Sequence, residues 1–485
     1  MSAEISAKII CRVECMGFKF NGIDWNSQSF KIILIAALCQ FSISMILNCM
    51  HVMLPQISSE LNIPISSLNW ITLIFLMTLL ACSVPFSQNI GQRGIKFYIK
   101  IASYGLIIGL ILNAISFNLE LFFISRIIQG ITMSVLNVCV SMIVILGMPD
   151  NKVGYALGFV SSAGYLGNLI APTLSGTITS FLSWRFVFIF MIILFAFQLI
   201  LLHLVEDEWK TNKKHSDKIG SVIFILMVCL MVYGFSSIIE DGLIPLIISF
   251  ILLIVFVRTE KNKEYPVLNL DLLRNVPYLI GNYAAMVCHL LSFTVNYVLS
   301  IYLVAVMNLD AHVAGLMMMI TPVLMVLVSP YAGRLADYND PRTLSIYGMA
   351  FMGLCMLLLG VLEFYPFVLI FVALTVRGIG HGIFSAPNSK FVLSSIPKDD
   401  LGNASALLST SKEFGRIISL SMFNIICLIV MNNVPLETNI DGFAQSMNVM
   451  MFVTVIFAIS SIVLLFLSKY YFDEESKPCC DSTDE

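Results

Sequence analysis

The sequence predicts an all-helical membrane protein, two six-helix bundles plus two extra central helices, with about fourteen transmembrane helices in all. Three observations predict it. The chain of 485 residues is 58% hydrophobic and only 12% charged, with a mean hydropathy of +0.91, whereas soluble domains carry about 25% charged residues. Apolar runs recur at the roughly 20-residue length that a bilayer span needs. The stretch from Pro149 to Gly176 also has a distant copy from Pro397 to Gly415. A shift of 248 places Pro149 on Pro397, Gly154 on Gly402, Ala156 on Ala404, Ser161 on Ser409 and Gly167 on Gly415. Each copy leaves a short polar loop for a small-residue-rich helix, as in internally repeated transporters.

The apolar runs fall near 30–54, 68–88, 97–117, 121–147, 153–178, 185–205, 219–238, 242–258, 277–305, 312–332, 343–362, 366–387, 403–431 and 447–469. The positive-inside rule tests that count. With the N-terminus inside, one set of loops holds Arg93, Lys96, Lys100, Lys152, Lys210, Lys213, Lys214, Lys218, Arg258, Lys261, Lys263, Arg274, Arg334, Arg342, Lys390 and Lys398. The other set holds no Lys or Arg except Arg185, and carries Glu60, Glu120, Glu240, Asp241, Asp310, Glu437 and Asp441. A multi-pass protein of the cell membrane with both termini cytoplasmic is expected.

The two longest inside loops, 206–220 and 258–277, bracket the seventh and eighth spans. The expected organisation is therefore a cytoplasmic tail (1–29), an N-terminal six-helix bundle (30–205), a segment of cytoplasmic loops and two inserted helices (206–276), a C-terminal six-helix bundle (277–469) and a cytoplasmic tail (470–485). The first 28 residues hold no apolar run fit for a cleavable signal peptide. No ATP-binding loop, redox pair or zinc-protease helix is visible, so no cofactor, no metal and no enzymatic activity are expected. The twelve cysteines are scattered through apolar runs and read as small buried hydrophobes. Cys11, Cys15, Cys479 and Cys480 lie in the tails without a second zinc-type pair.

The polar and small residues inside the spans are the candidate machinery. Arg126 in the fourth span, followed by Gln129 and Gly130, is an expensive guanidinium at membrane depth, and Arg377 occupies the matching place in the twelfth. Asn48 and His51 share a face of the first span, and His289 and Asn296 share one of the ninth. Asn137, Asn168 and His381 complete the set, which is expected to form a substrate and proton pathway, the histidines being candidate proton carriers. Gly167, Pro172, Gly176 and Gly415 are expected to be packing residues, Pro172 loosening its helix by removing a donor. The loop after the second span reads Ser87 to Lys96 with Gly91, Arg93 and Gly94, and its counterpart reads Gly333 to Arg342 with Asp337 and Asp340.

On these residues the chain resembles the major facilitator superfamily, and within it the fourteen-span drug:proton antiporter family, over nearly its whole length. Gly167 to Gly176 resembles the antiporter motif GxxxGPxxGG, with Ala171 and Ser175 in place of two glycines. Arg126 to Gly130 resembles RxxQG, and Trp184-Arg185-Phe186 resembles the family's start of the sixth span, an anchor at the outer interface. The two loops resemble GxxxDRxGR/K, a cytoplasmic latch. Asp337 keeps its acid, whereas Gly91 stands at the acid position of the first copy. Gly94, Gly333, Asp337 and Arg342 are gating residues by that resemblance. The family's first-span acid falls at Ile46, and no Asp or Glu is expected deep in any span, Glu413 being placed at the cytoplasmic end of the thirteenth.

The resemblance implies a major-facilitator fold and a monomeric secondary transporter that rocks by alternating access, exporting amphipathic small molecules on the proton gradient. Its partners would be a small-molecule substrate, the lipid bilayer and possible protons, with no nucleic acid. The missing acid favours neutral or anionic compounds. The alternatives are an uncoupled facilitator or anion exchanger, and a transporter-like sensor that moves nothing.

Overall fold

The structure is a computed structural model that describes residues 28–61, 65–90, 93–203, 217–238, 241–261, 263, 266–362, 366–431 and 439–475. Residues 1–27 and 476–485, with Cys11, Cys15, Cys479 and Cys480, lie outside the described residues, as do Gly91, the loop lysines 210, 213 and 214, Glu240 and Glu437, while the C-terminal helix runs on through 470–475 of the expected tail. No strand occurs among the described residues.

The helices, in order, are α1 Gln28–Leu61, α2 Ile65–Ile90, α3 Ile95–Ala114, α4 Leu119–Gly147, α5 Val153–Phe181, α6 Arg185–His203, α7 Lys218–Ser236 and α8 Leu243–Glu260. Next come α9 Val276–Thr294, then α10 in two pieces, Ala311–Met318 and Ile320–Tyr338, α11 Pro341–Leu359, α12 Pro366–Ser394, α13 Leu401–Met431 and α14 Ile440–Glu475. Among the described residues, thirteen spans are long and apolar enough to cross a membrane. The remaining helix, α5, has 29 residues but is diluted by Gly, Ser, Thr and Asn, because it builds an interior wall. α9 continues through two π-helical stretches, Val295–Leu299 and Tyr302–Val306. Gly94, before α3, has φ 92°, a left-handed conformation that glycine adopts without a Cβ penalty.

The repeat has a physical form. Pro149 precedes a single 3₁₀ turn (Asp150–Lys152) and then α5; Pro397 precedes another (Lys398–Asp400) and then α13. Gly167 leaves room for the Phe41 carbonyl where α5 packs on α1, and Gly415 leaves room for the Met286 carbonyl where α13 packs on α9. Gly130 does the same for α4 against Phe75 and Thr78 of α2. Gly176 meets only an ordinary contact with Val52. The buried apolar side chains form two clusters, one dominated by α1–α6 together with α7 and α8, the other by α9–α14.

The bundles meet along two seams. At the first, α5 packs on α10 through Gly154 and Gly158 against Gly333, Ser329 and Pro330, and Ser162 Oγ donates to the Val326 carbonyl at 2.9 Å. At the second, α2 meets α13: Ser83 bonds Thr410 at 2.7 Å, and Ser87 donates to Asn403 Oδ1 at 2.9 Å. Asp337 Oδ1 and Oδ2 accept the N–H groups of Gly154 and Tyr155 at 2.7 and 2.8 Å, and Lys390 Nζ lies 2.6 Å from Oδ1. Arg342 does not pair with Asp337. It pairs with Asp340 at 3.2 Å and donates to the Ser468 carbonyl on α14 at 3.2 Å.

Trp184 immediately precedes α6. It is fully buried, and its indole N–H donates to Glu60 Oε2, beside the Arg185–Glu60 ion pair. Arg185 also donates to the Ser116 carbonyl at 3.0 Å, so this corner ties the end of α1 to the α3–α4 turn and the start of α6.

Candidate functional site

A cavity of about 1300 Å³ lies between the bundles. Drug-sized pockets run to about 1,000 Å³, so a small molecule fits with water to spare. Its lining reaches the ends of α5 (Thr177, Ser180), α7 (Ser236) and the start of α10 (Gly315, Leu316). That face is the mouth. The opposite end is closed by the two seams, by Asn137 Nδ2 donating to Ser409 Oγ at 2.8 Å, and by Tyr165 Oη bonding His381 Nδ1 at 3.1 Å.

Of the residues expected on the pathway, Asn48, Arg126, Asn137, Asn168, His289, Asn296, Arg377 and His381 all line this cavity, as does Pro172. Asn296 sits in the first π-helical stretch, a local widening common at functional sites. Asn48 Nδ2 donates to Asn168 Oδ1 at 2.8 Å, linking α1 to α5. Gln129 does not reach the cavity. It is fully buried and its Oε1 accepts from Arg126 Nη1 at 3.0 Å, so it holds the guanidinium in place. His51 lies on α1, but its side chain is outside the described residues.

The two arginines differ. Arg126 is 2% exposed and enclosed: Phe75 and Phe122 each present a ring 5.6 Å from its guanidinium carbon, and Met50 Sδ and Gln129 take its terminal nitrogens. Arg377 is equally buried, yet only its Nη2 is bonded, to the Ser292 carbonyl at 2.8 Å. Its Nε and Nη1 have no acceptor among the described residues.

One expectation is corrected. Glu413 is not at a helix end. It is the thirteenth residue of the 31-residue α13, about 18 Å along it at 1.5 Å per residue. It lines the cavity, is 8% exposed, and both its oxygens accept from Arg416 Nη1 at 2.8 and 2.9 Å. Lys412 lies on the same wall and, among the described residues, hydrogen-bonds only Ser389 Oγ, at 3.4 Å. In the sequence Glu413 reads as a charge near the start of its span, and no motif singles out Lys412 or Arg416 beside it. Their signal was periodicity: Ser409, Lys412, Glu413, Arg416 and Leu420 return to one helical face.

Cys288, His289 and His381 bring three ligating atoms within 4.8 Å of one another. The donor types suit a soft metal ion. Arg377, Lys412 and Arg416 on the same wall oppose a cation there.

The Major Facilitator Superfamily profile matches residues 36–420. The chain is 25% identical over 403 residues to the riboflavin transporter RibZ of Clostridioides difficile (strain 630), covering 82% of this chain and 88% of that one. It is 25% identical over 383 residues to the lincomycin resistance protein LmrB of Listeria innocua, covering 76% and 80%. Among solved structures it superposes on the human organic anion transporter MFSD10 (TETRAN) with TM-score 0.64 and 12% identity, over 90% of this chain and 98% of that one. It superposes on the proton:xylose symporter XylE with TM-score 0.61 and 16% identity, over 90% and 96%. With a multi-pass helical fold, a central cavity between two bundles and a family match across most of its length, the chain belongs to the Major Facilitator Superfamily of membrane transporters.

Proposed function

We propose that this transporter is a proton-driven exporter of amphipathic small molecules, of the fourteen-span drug:proton antiporter type, with the central cavity as its substrate site. The observation that carries the reading is Glu413, a carboxylate midway along α13 in the cavity wall, bonded to Arg416. An ionisable group at that depth is expensive and is characteristically a proton or ion site. A neutral substrate that hydrogen-bonds the ionised carboxylate excludes the proton, and a proton excludes the substrate, which is the requirement for exchange. His381 bonds Tyr165 at 3.1 Å and His289 bonds the Ala285 carbonyl at 3.0 Å, which supports reading these two as hydrogen-bonding groups beside the carrier. Riboflavin and lincomycin, named for two relatives, both combine polar and apolar parts. On the Lys/Arg distribution the termini are cytoplasmic in the cell membrane, the mouth faces outward and the seams close the cytoplasmic side.

The test uses proteoliposomes holding a pH-sensitive dye under an acid-inside gradient. Adding a neutral amphipath should make the lumen more alkaline, and Glu413→Gln should abolish that signal while labelled substrate still equilibrates. A second reading, exchange or cotransport of anions, is favoured by Arg377 and Lys412, which have no carboxylate partner among the described residues. Under it the lumen either does not change or becomes more acidic. Dye changes identical in wild type and Glu413→Gln would refute the carboxylate's role.

A further inference from the structure

Resting on the reading of the cavity as the substrate site, we propose that its C-terminal wall is an oxyanion subsite centred on Arg377. It takes the carboxylate, sulfonate or phosphate group of an aromatic amphipath whose body lies toward α9 and the N-terminal wall. A guanidinium 2% exposed with two nitrogens lacking acceptors is an open donor set. Burying such donors without partners is costly, and a bound oxyanion satisfies both their hydrogen bonds and their charge. The rest of the wall agrees in sign. His381 lies one turn along α12 on the same face as Arg377, with His289 edge-on at 5.6 Å. Glu413 answers the charge of Arg416 but leaves Arg377 and Lys412 uncompensated.

The opposite wall has a different character. Gln40, Ser44, Asn48, Asn137 and Asn168 are neutral hydrogen-bonding groups. Arg126, the one cation there among the described residues, is wrapped by two rings and already bonded at both terminal nitrogens, so that only its Nε lacks an acceptor, against two donors of Arg377. Among the described residues the guanidinium with two unmet donors therefore lies on the C-terminal side of the cavity. Next to Ser292, Phe293 and Tyr297 lie in the lining with parallel rings 6.1 Å apart, and they offer a face to an aryl group whose charged head sits at Arg377.

The test is calorimetric titration of the purified full chain with five naphthalenes that share one ring system: 1-naphthoate, naphthalene-1-sulfonate, 1-naphthyl phosphate, neutral 1-naphthol and cationic 1-naphthylmethylamine. The three oxyanions should bind at least about tenfold more tightly than 1-naphthol, the range of one charge-assisted hydrogen bond, and the amine most weakly. Their ranking tells which oxyanion the subsite prefers. Arg377→Gln should erase the gap between oxyanions and 1-naphthol while 1-naphthol itself still binds, which also reports a folded protein. If that variant does not fold, Lys412→Gln should shrink the gap. Wild-type protein that binds 1-naphthol as tightly as the oxyanions overturns the subsite, and so does a gap that survives both substitutions. Either result leaves the transporter reading standing if a neutral amphipath still moves in proteoliposomes. Failure of all five probes to bind, with no movement of any, removes both.

Discussion

Asp337 concentrates the closure of one end of the molecule in a single side chain. Its carboxylate lies at the start of α5, where the first N–H groups of a helix have no intrahelical acceptor, and it takes two of them as well as the Lys390 ammonium. Asp337 and Lys390 belong to the C-terminal half and Gly154 and Tyr155 to the N-terminal half, so the contact exists only while the bundles are closed there. Replacing Asp337 by Asn keeps the shape, removes the charge and turns an amide NH₂ toward a donor. The carboxylate side chain is 1% exposed, and breaking a buried, charge-assisted set of this kind costs about 2–4 kcal/mol. Asp337→Asn should therefore shift the population toward states open at this end. Spin labels at Lys152 and Tyr338, on either side of the seam, should report a longer distance distribution by pulsed electron resonance; an unchanged distribution would show that the latch does not hold this state. At the other seam the described contacts are between uncharged groups. Ser87 stands where Gly333 stands, 246 positions earlier, and its hydroxyl reaches Asn403 at 2.9 Å. The Ser87–Asn403 contact joins two neutral side chains, whereas the Asp337 contact is charged.

Among the elements, the inserted pair α7–α8 has the clearest mechanical consequence. α7 touches both halves: Tyr233 stacks on Trp70 of α2 at 5.7 Å, and Ser421 of α13 donates to the Phe235 carbonyl at 2.7 Å. It therefore runs along the α2–α13 flank, where the direct contact between the bundles is thinner than at the α5–α10 seam. The hairpin is tied internally by Ser249 donating to the Met227 carbonyl at 2.9 Å. At its base Asp217 caps α7, accepting from Ile219 and Gly220 at 3.1 and 3.0 Å, and pairs with Lys263. Burial pushes the Asp217 carboxyl up, but the hydrogen bonds from the Lys263 ammonium and the Gly220 N–H outweigh it and hold the group below the usual carboxylate range. A carboxyl lowered in the folded state adds stability that is present above its unfolded value, about 3.9, and is lost as pH falls through the folded value. Asp217→Asn retains the cap but not the ion pair. It should lower stability by about 1 kcal/mol at pH 7, and the difference from wild type should narrow as pH drops below about 4. Thermal melts of the two proteins in detergent at pH 7 and pH 3.5 check this; a difference independent of pH would assign the loss to packing instead.

At the scale of the whole molecule the sequence carried the fold well and the site in part, for physical reasons. Spans, repeat and the buried arginines were legible because length, apolarity and an embedded charge are properties of one helix at a time. Arg126 and Arg377 looked alike in the chain, and only packing separates them, since Phe75, Phe122 and Met50 come from other helices. Gln129 matched a motif but points into the protein, and Glu413 was misplaced because helix α13 runs on through its charges. What no linear pattern encodes is which end of the cavity is closed. Here the mouth carries Thr177 and Ser180 at the end of α5, whereas Gly154 and Gly158 at its start are pressed onto α10. A rocking transporter in this state offers its cavity to one side only. A cysteine at Thr177 should react with a membrane-impermeant maleimide added to the mouth side and not with the same reagent on the other side. A cysteine at Gly158 would wedge the seam, so Leu157, which lines the closed end of the cavity, serves as the second site and should be protected from the seam side. Adding Asp337→Asn should expose the Leu157→Cys thiol to that side, because the same two bundles cannot close both ends around one cavity. Equal reactivity of Thr177→Cys from both sides would mean that the chain forms an open path rather than an alternating one, and the assignment of the two seams as gates would fall with it.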